Sequence, residues 1–112
     1  MCEIEINKIY NEDCLETMAR CPDNFVDLTV TSPPYDDLRT YKTNIKLKKE
    51  FNGFSFEFEK IAKELFRITK NGGVLVWVIG DATIDGSETG TSFRQALFFK
   101  EIGFNLFDTM IY

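Results

Sequence analysis

Thr31-Ser32-Pro33-Pro34-Tyr35 is the stretch of this 112-residue chain where residue types and spacing suggest chemistry rather than packing. A Pro-Pro pair has both φ angles locked and offers no backbone N–H, so the carbonyls around it point in set directions with no donor among them. The Ser32 hydroxyl can both donate and accept, and Tyr35 adds a flat aromatic face. The plain alternative is an ordinary turn in which the prolines merely end a strand. Several other chemistries drop out at once. With no histidine, the chain supplies no Ser-His-Asp triad, no His-paired cysteine and no His-containing zinc site. Cys2, Cys14 and Cys21 are odd in number and form no C-x-x-C pair, so neither a disulfide framework nor a thiolate metal site is expected. Buried, inert thiols in a reducing cytoplasm are the expectation.

The elements that must position Ser32 follow from periodicity and punctuation. Ile4, Ile6, Ile9 and Tyr10 suggest a first extended segment. Asp13, with Glu16 three residues on, is a capping-box-like helix start, and Leu15, Met18 and Ala19 give that helix one apolar face before the Cys21-Pro22-Asp23-Asn24 turn. Phe25 to Thr31 reads as a strand with Val26, Leu28 and Val30 on one side, ended by the prolines. Ser55 is expected to cap a helix that turns Phe58, Ile61, Ala62, Leu65 and Phe66 inward and closes on Asn71-Gly72-Gly73 in a left-handed cap. Val74 to Ile79 is a continuous apolar run, the pattern of a central parallel strand covered on both faces.

Gly80-Asp81 then reads as a strand-ending turn and Asp85 to Thr91 as a loop. Ser92-Phe93-Arg94-Gln95 is a second capping box, opening a helix that runs to Gly103, and Asn105 to Tyr112 begins a last strand. The chain stops within that strand, which reads as a piece of something longer. The order β-α-β-α-β-α-β favours an open, mostly parallel α/β sheet with flanking helices, built as a single domain over residues 1–112. Ligands of such sheets sit beyond the carboxyl ends of the strands. Asp13, Ser32 to Tyr35 and Gly80-Asp81 would gather along that edge.

Composition sets the outer bounds. The chain is 44% apolar, 14% aromatic and 28% charged, a soluble globular profile. Its longest apolar run is far too short to span a bilayer, and its first residues carry no basic segment followed by an apolar one. Thirteen basic against 18 acidic residues give a net charge of -5, which argues against a protein that coats nucleic acid but leaves room for a local basic patch. Asp36 to Gly53 is long for a connection and holds Arg39, Lys42, Lys46, Lys48 and Lys49. It reads as a flexible basic loop, either folding over a phosphate-bearing strand or simply solvated.

Taken in order, these segments resemble the amino-methylating DNA methyltransferases, the N4-cytosine/N6-adenine family. Ser32-Pro33-Pro34-Tyr35 resembles the family's catalytic motif, Asn11-Glu12-Asp13-Cys14-Leu15-Glu16 its Gly-Asp-Cys-Leu-Glu segment, and Pro22-Asp23-Asn24-Phe25-Val26-Asp27-Leu28 its lead-in to the catalytic strand. Gly72-Gly73-Val74-Leu75-Val76 and Gly103-Phe104 stand where the family has its next strand and helix end. The resemblance implies a Rossmann-like fold, S-adenosylmethionine as methyl donor and double-stranded DNA as substrate. It implies that Ser32 and the Pro33 carbonyl hold the exocyclic amine of a base rotated out of the duplex, alongside Pro34, and that Tyr35 stacks on that base. Asp13, Cys14 and Thr31 are implied at the cofactor, and the basic residues from Arg39 to Lys49 at the DNA. Serine in the first motif position is similar to the N4-cytosine type, so cytosine is favoured over adenine.

One family feature is absent. None of the glycines at 53, 72, 73, 80, 86, 90 and 103 makes the Phe-x-Gly-x-Gly turn that holds the cofactor. Circularly permuted members place the catalytic half first, and this chain resembles that half. A missing second half or a second polypeptide would then carry the glycine-rich turn, and the open sheet edge would invite self-association. A restriction endonuclease encoded alongside would indicate self-protection. The competing expectation is an inactive remnant or non-catalytic binding module that keeps the fold.

Overall fold

The computed structural model describes residues 4–33 and 57–110. The chain divides into two compact units, one of Met1–Thr31 with Glu59–Trp77 and the other of Ser32–Phe58 with Val78–Tyr112.

The first unit contains a parallel β-α-β arrangement preceded by a short helix. Helix α1 is Cys14–Ala19, strand β1 is Val26–Thr31, helix α2 is Phe58–Ile68 and strand β2 is Thr69–Trp77. Asp13 caps α1 as its spacing predicts, its Oδ1 accepting the Leu15 N–H at 2.9 Å. The cap matters because a six-residue helix has few internal hydrogen bonds of its own. β1 and β2 run parallel in the register Leu28↔Val74, Thr29↔Leu75, Val30↔Val76 and Thr31↔Trp77.

Alternation along the strands puts Thr29, Thr31, Leu75 and Trp77 on one face. Leu75 and Trp77 pack there against a core of Met18, Cys21, Leu65 and Ile68, joined by Leu15, Phe25 and Ile61. Leu28, Val30 and Val74 lie on the opposite face and are 58%, 64% and 53% exposed. The expectation of a strand covered on both faces is therefore corrected, since the helices of this unit pack on one side only. Phe66 is also exposed, and Ile68 takes the inward position instead. Cys21 is buried as expected, whereas Cys14 is exposed.

The passage from α2 into β2 also differs from expectation. Asn71-Gly72-Gly73 does not cap the helix, which ends at Ile68; it lies in an irregular stretch of β2 between the pairs Val26↔Thr69 and Leu28↔Val74. Gly72 takes φ +84°, and Gly73 lets Asp27 of β1 come close: a Cβ there would sit 3.0 Å from the Asp27 carbonyl oxygen and 2.9 Å from that of Lys70. Arg67 ties this passage to α1. Its guanidinium donates to the carbonyls of Met18 at 2.7 Å and Cys21 at 2.9 Å, to both carboxylate oxygens of Glu64 and to Asp23. Arg67 thus adds a charged donor to the Met18 carbonyl of α1, which also accepts the Cys21 N–H, and to the Cys21 carbonyl in the turn that follows.

The second unit holds a hairpin and a helix. Strands β3 (Thr83–Ile84) and β4 (Ser87–Glu88) pair antiparallel across Asp85-Gly86, whose φ angles are +51° and +77°. Two left-handed residues in sequence are the signature of the tight hairpin turn that Asp-Gly favours, so the loop expected over Asp85 to Thr91 is in part a hairpin. Helix α3 is Thr91–Ile102. Its N-cap is Gly90 rather than a capping-box serine, and Ser92 instead directs its N–H and hydroxyl at the Asp81 carboxylate, at 2.7 and 2.9 Å. Phe58, Phe98, Phe99 and Phe104 form an edge-to-face aromatic group at centroid distances of 5.4 to 5.6 Å.

Two expected strands do not form among the described residues. Residues 4–10 are irregular, with Asn7 at φ +59° and Ile6 and Ile9 largely exposed, and Asn105–Met110 is irregular too. A strand is stable only when a neighbour takes its backbone groups, and neither segment pairs with one here. The observed architecture is mixed α/β with a two-stranded parallel sheet. No helix among the described residues is long and apolar enough to cross a membrane.

Candidate active site

The site begins where β1 ends. Thr31 is the last residue of that strand, exposed and in register with Trp77 at the end of β2. Ser32 follows it and is exposed, while Pro33 is buried. The strand thus stops at Thr31, two residues before the first proline, whose nitrogen has no donor for the ladder. Because β1 and β2 are parallel, the segments after Thr31 and after Trp77 leave the sheet at the same edge. Pro34, Tyr35, Arg39, Lys42, Lys46, Lys48 and Lys49 lie outside the described residues.

Asp13 and Cys14 open α1, in the same compact unit as Thr31. Asp13 Oδ1 is engaged by the cap bond to Leu15. The residue is exposed and Oδ2 lies outside that bond, which suits a carboxylate that also accepts from a ligand hydroxyl or amine. Desolvation first, and the neighbouring Asp13 charge second, push the Cys14 thiol above its ordinary pKa. At neutral pH it is therefore a neutral thiol, suited to contact and not to nucleophilic attack. As chemistry alone, a set of one carboxylate, one thiol and one hydroxyl suits the hydroxyl- and amine-bearing end of a nucleoside. It offers no counterpart for an amino-acid end, and the sequence has no glycine-rich turn to provide one.

Sequence reasoning named Asp81 only as part of a strand-ending turn near the expected ligand edge, and it passed over Arg67. Asp81 follows the last residue of β2 by four positions in the sequence, and its carboxylate is committed to the start of α3. The bond from Ser92 to Asp81 spans 11 residues, beyond the reach of a local capping pattern. Arg67 has only Glu64, three residues before it, as a local cue.

A family model described as DNA methylase matches residues 26–112, and the chain belongs to that family, of the N6/N4 amino-methylating type. The matched stretch begins at β1 and includes Ser32 and Pro33, while Asp13 and Cys14 precede it. The chain is 67% identical over 87 residues to the orphan methyltransferase M.BamHII of Bacillus amyloliquefaciens, covering 78% of this chain and 29% of that one. It is 32% identical over 99 residues to the type II methyltransferase M.BglII of Bacillus subtilis, covering 88% and 26%. To the type II methyltransferase M.BamHI of Bacillus amyloliquefaciens it is 34% identical over 71 residues, covering 63% and 17%. The chain thus spans less than a third of the length of these curated relatives. No solved structure matches it.

Proposed function

We propose that this chain carries the catalytic motif of an S-adenosylmethionine-dependent DNA methyltransferase, acting on the exocyclic amine of an extruded base, with N4 of cytosine favoured over N6 of adenine. The observation that carries the reading is the family match running through Ser32 and Pro33 at the carboxyl end of a parallel strand. The methyltransferase names of the relatives support the reaction class.

The chemistry asked of the chain is modest. An exocyclic amine is a weak nucleophile because its lone pair is delocalised into the ring. Acceptors placed around its N–H groups favour a pyramidal nitrogen whose lone pair is available. The Pro33 carbonyl supplies one such acceptor in a direction set by the proline backbone. The Ser32 hydroxyl supplies a second contact, to the amine or to the adjoining ring nitrogen. When bound, S-adenosylmethionine supplies an electrophilic methyl group on a sulfonium. Asp13 holds the nucleoside hydroxyls or amine of that cofactor, with Cys14 and Thr31 beside it. Tyr35 stacks on the base, and Arg39, Lys42, Lys46, Lys48 and Lys49 meet DNA phosphates, in a cytoplasmic protein. The rate advantage is mostly one of proximity and orientation.

The test is transfer of a labelled methyl group to duplex DNA, followed by digestion to nucleosides. Label in N4-methylcytosine is expected. Label in N6-methyladenine would overturn the choice of base, and absence of both transfer and saturable donor binding by calorimetry would favour a non-catalytic module.

A further inference from the structure

Asn71 and Gly72 sit in the irregular excursion that β2 makes beside β1. The pairing passes from Val26↔Thr69 to Leu28↔Val74, so residues 70–73 lie between register pairs. Gly72 takes φ +84°, and a Cβ on Gly73 would meet the Lys70 carbonyl oxygen at 2.9 Å, so the chain folds tightly across Asn71-Gly72. Both residues are exposed. An asparagine followed by glycine is chemically distinctive, because no Cβ on the next residue holds the following backbone nitrogen away from the asparagine side-chain carbonyl. Asn7 and Asn105 are also exposed and lie in irregular chain, but they precede Lys8 and Leu106.

From this placement we infer that Asn71 is a self-modification site, which deamidates to aspartate and isoaspartate and so loosens the β1–β2 crossing. Water is the only co-reactant. Hydroxide removes the Gly72 N–H proton and the Gly72 nitrogen bonds to Asn71 Cγ. The Cγ–Nδ2 bond then breaks, and the departing nitrogen takes a proton from water and leaves as ammonia. A second water opens the cyclic imide at either carbonyl, so the main chain runs on through the original carbonyl as aspartate or through Cβ and Cγ as isoaspartate. The isoaspartyl product lengthens the main chain by a methylene. That insertion falls next to Gly73, where a Cβ would already sit 3.0 Å from the Asp27 carbonyl oxygen of β1. A negative charge also enters beside Lys70, which is paired with Asp27 at 3.3 Å.

The test ages the folded protein in mildly alkaline buffer beside the same chain unfolded in urea. Peptide mapping by mass spectrometry follows each asparagine and separates Asn71 from the chain's other Asn-Gly pair, Asn52-Gly53. In the folded protein Asn71 should be lost about tenfold faster than Asn7 and Asn105, and faster still as pH rises. Loss at the pace of Asn7 and Asn105, or Asn71 left intact while the unfolded chain loses it, would overturn the site. The aged protein should unfold at a lower urea concentration than fresh Asn71→Asp, which carries the charge without the added methylene. Asn71→Gln, aged alongside, should keep its fresh midpoint. Equal midpoints for the aged protein and Asn71→Asp, or a fall of the same size in aged Asn71→Gln, would overturn the loosening of the crossing.

Discussion

At the scale of single residues, Asp13 and Arg67 show what local pattern does and does not encode. Asp13 was legible as a helix cap because its partner, the Leu15 N–H, lies two residues away. Arg67 was not, because the carbonyls it serves are 46 and 49 residues distant. Its guanidinium nonetheless joins two backbone carbonyls and two carboxylates, and the Glu64 and Asp23 carboxylates beside it raise its pKa further. Arg67→Ala should destabilise the chain by about 1–3 kcal/mol, the cost of two backbone acceptors losing a charged donor, reduced by partial exposure of the ion pairs. Urea unfolding measures it, and Arg67→Lys should recover only part because an ammonium cannot fork between acceptors. The same group gives a pH dependence. The Arg67 hydrogen bonds hold the Glu64 carboxyl below the ordinary glutamate value of 4.5. Its stabilisation is present above that value and lost as pH falls through the lower folded value, so stability should decline in the acid limb. Unfolding midpoints measured across that range check the sign, and a rise on acidification would contradict it.

Among the elements, those whose signals are local were legible: α1, β1, α2, β2 and α3 all fall close to their expected places. The two segments expected as strands but found irregular, 4–10 and 105–110, have a strand-like pattern without a neighbour to pair with, and alternation cannot supply one. The β3–β4 hairpin was missed for the opposite reason. Its Asp85-Gly86 turn was in plain view, but two-residue strands are too short for periodicity to register. Glycines separate by what a side chain would meet. Gly73→Ala pushes a Cβ against two backbone carbonyls at the β1–β2 crossing and should cost about 1–3 kcal/mol. Thermal unfolding would show it, and an unchanged midpoint would mean that the strands can separate without penalty. The start of α3 depends on Asp81 rather than on its own first turn. Asp81→Ala should therefore cost about 1 kcal/mol, seen as an earlier urea midpoint with reduced helicity; full helicity in that variant would show that Gly90 suffices.

For the molecule as a whole, composition gave the class and the ordered motifs gave the family, yet half of the candidate site was legible only as a motif. Ser32 and Pro33 stand at a strand end as expected, whereas Pro34, Tyr35 and the basic residues from Arg39 to Lys49 lie outside the described residues. The exposed sheet face of Leu28, Val30 and Val74 could not be foreseen, because a continuous apolar run states that a strand wants cover without stating what provides it. The central claim rests on the acceptors at the β1 end. The most direct measurement compares the rate of methyl transfer to DNA by the protein and by its Ser32→Ala variant, with donor binding followed in parallel by calorimetry. Loss of a contact made at the reacting amine should lower the rate by about 10²–10³ while donor affinity stays unchanged. Equal rates for the two proteins would contradict the account.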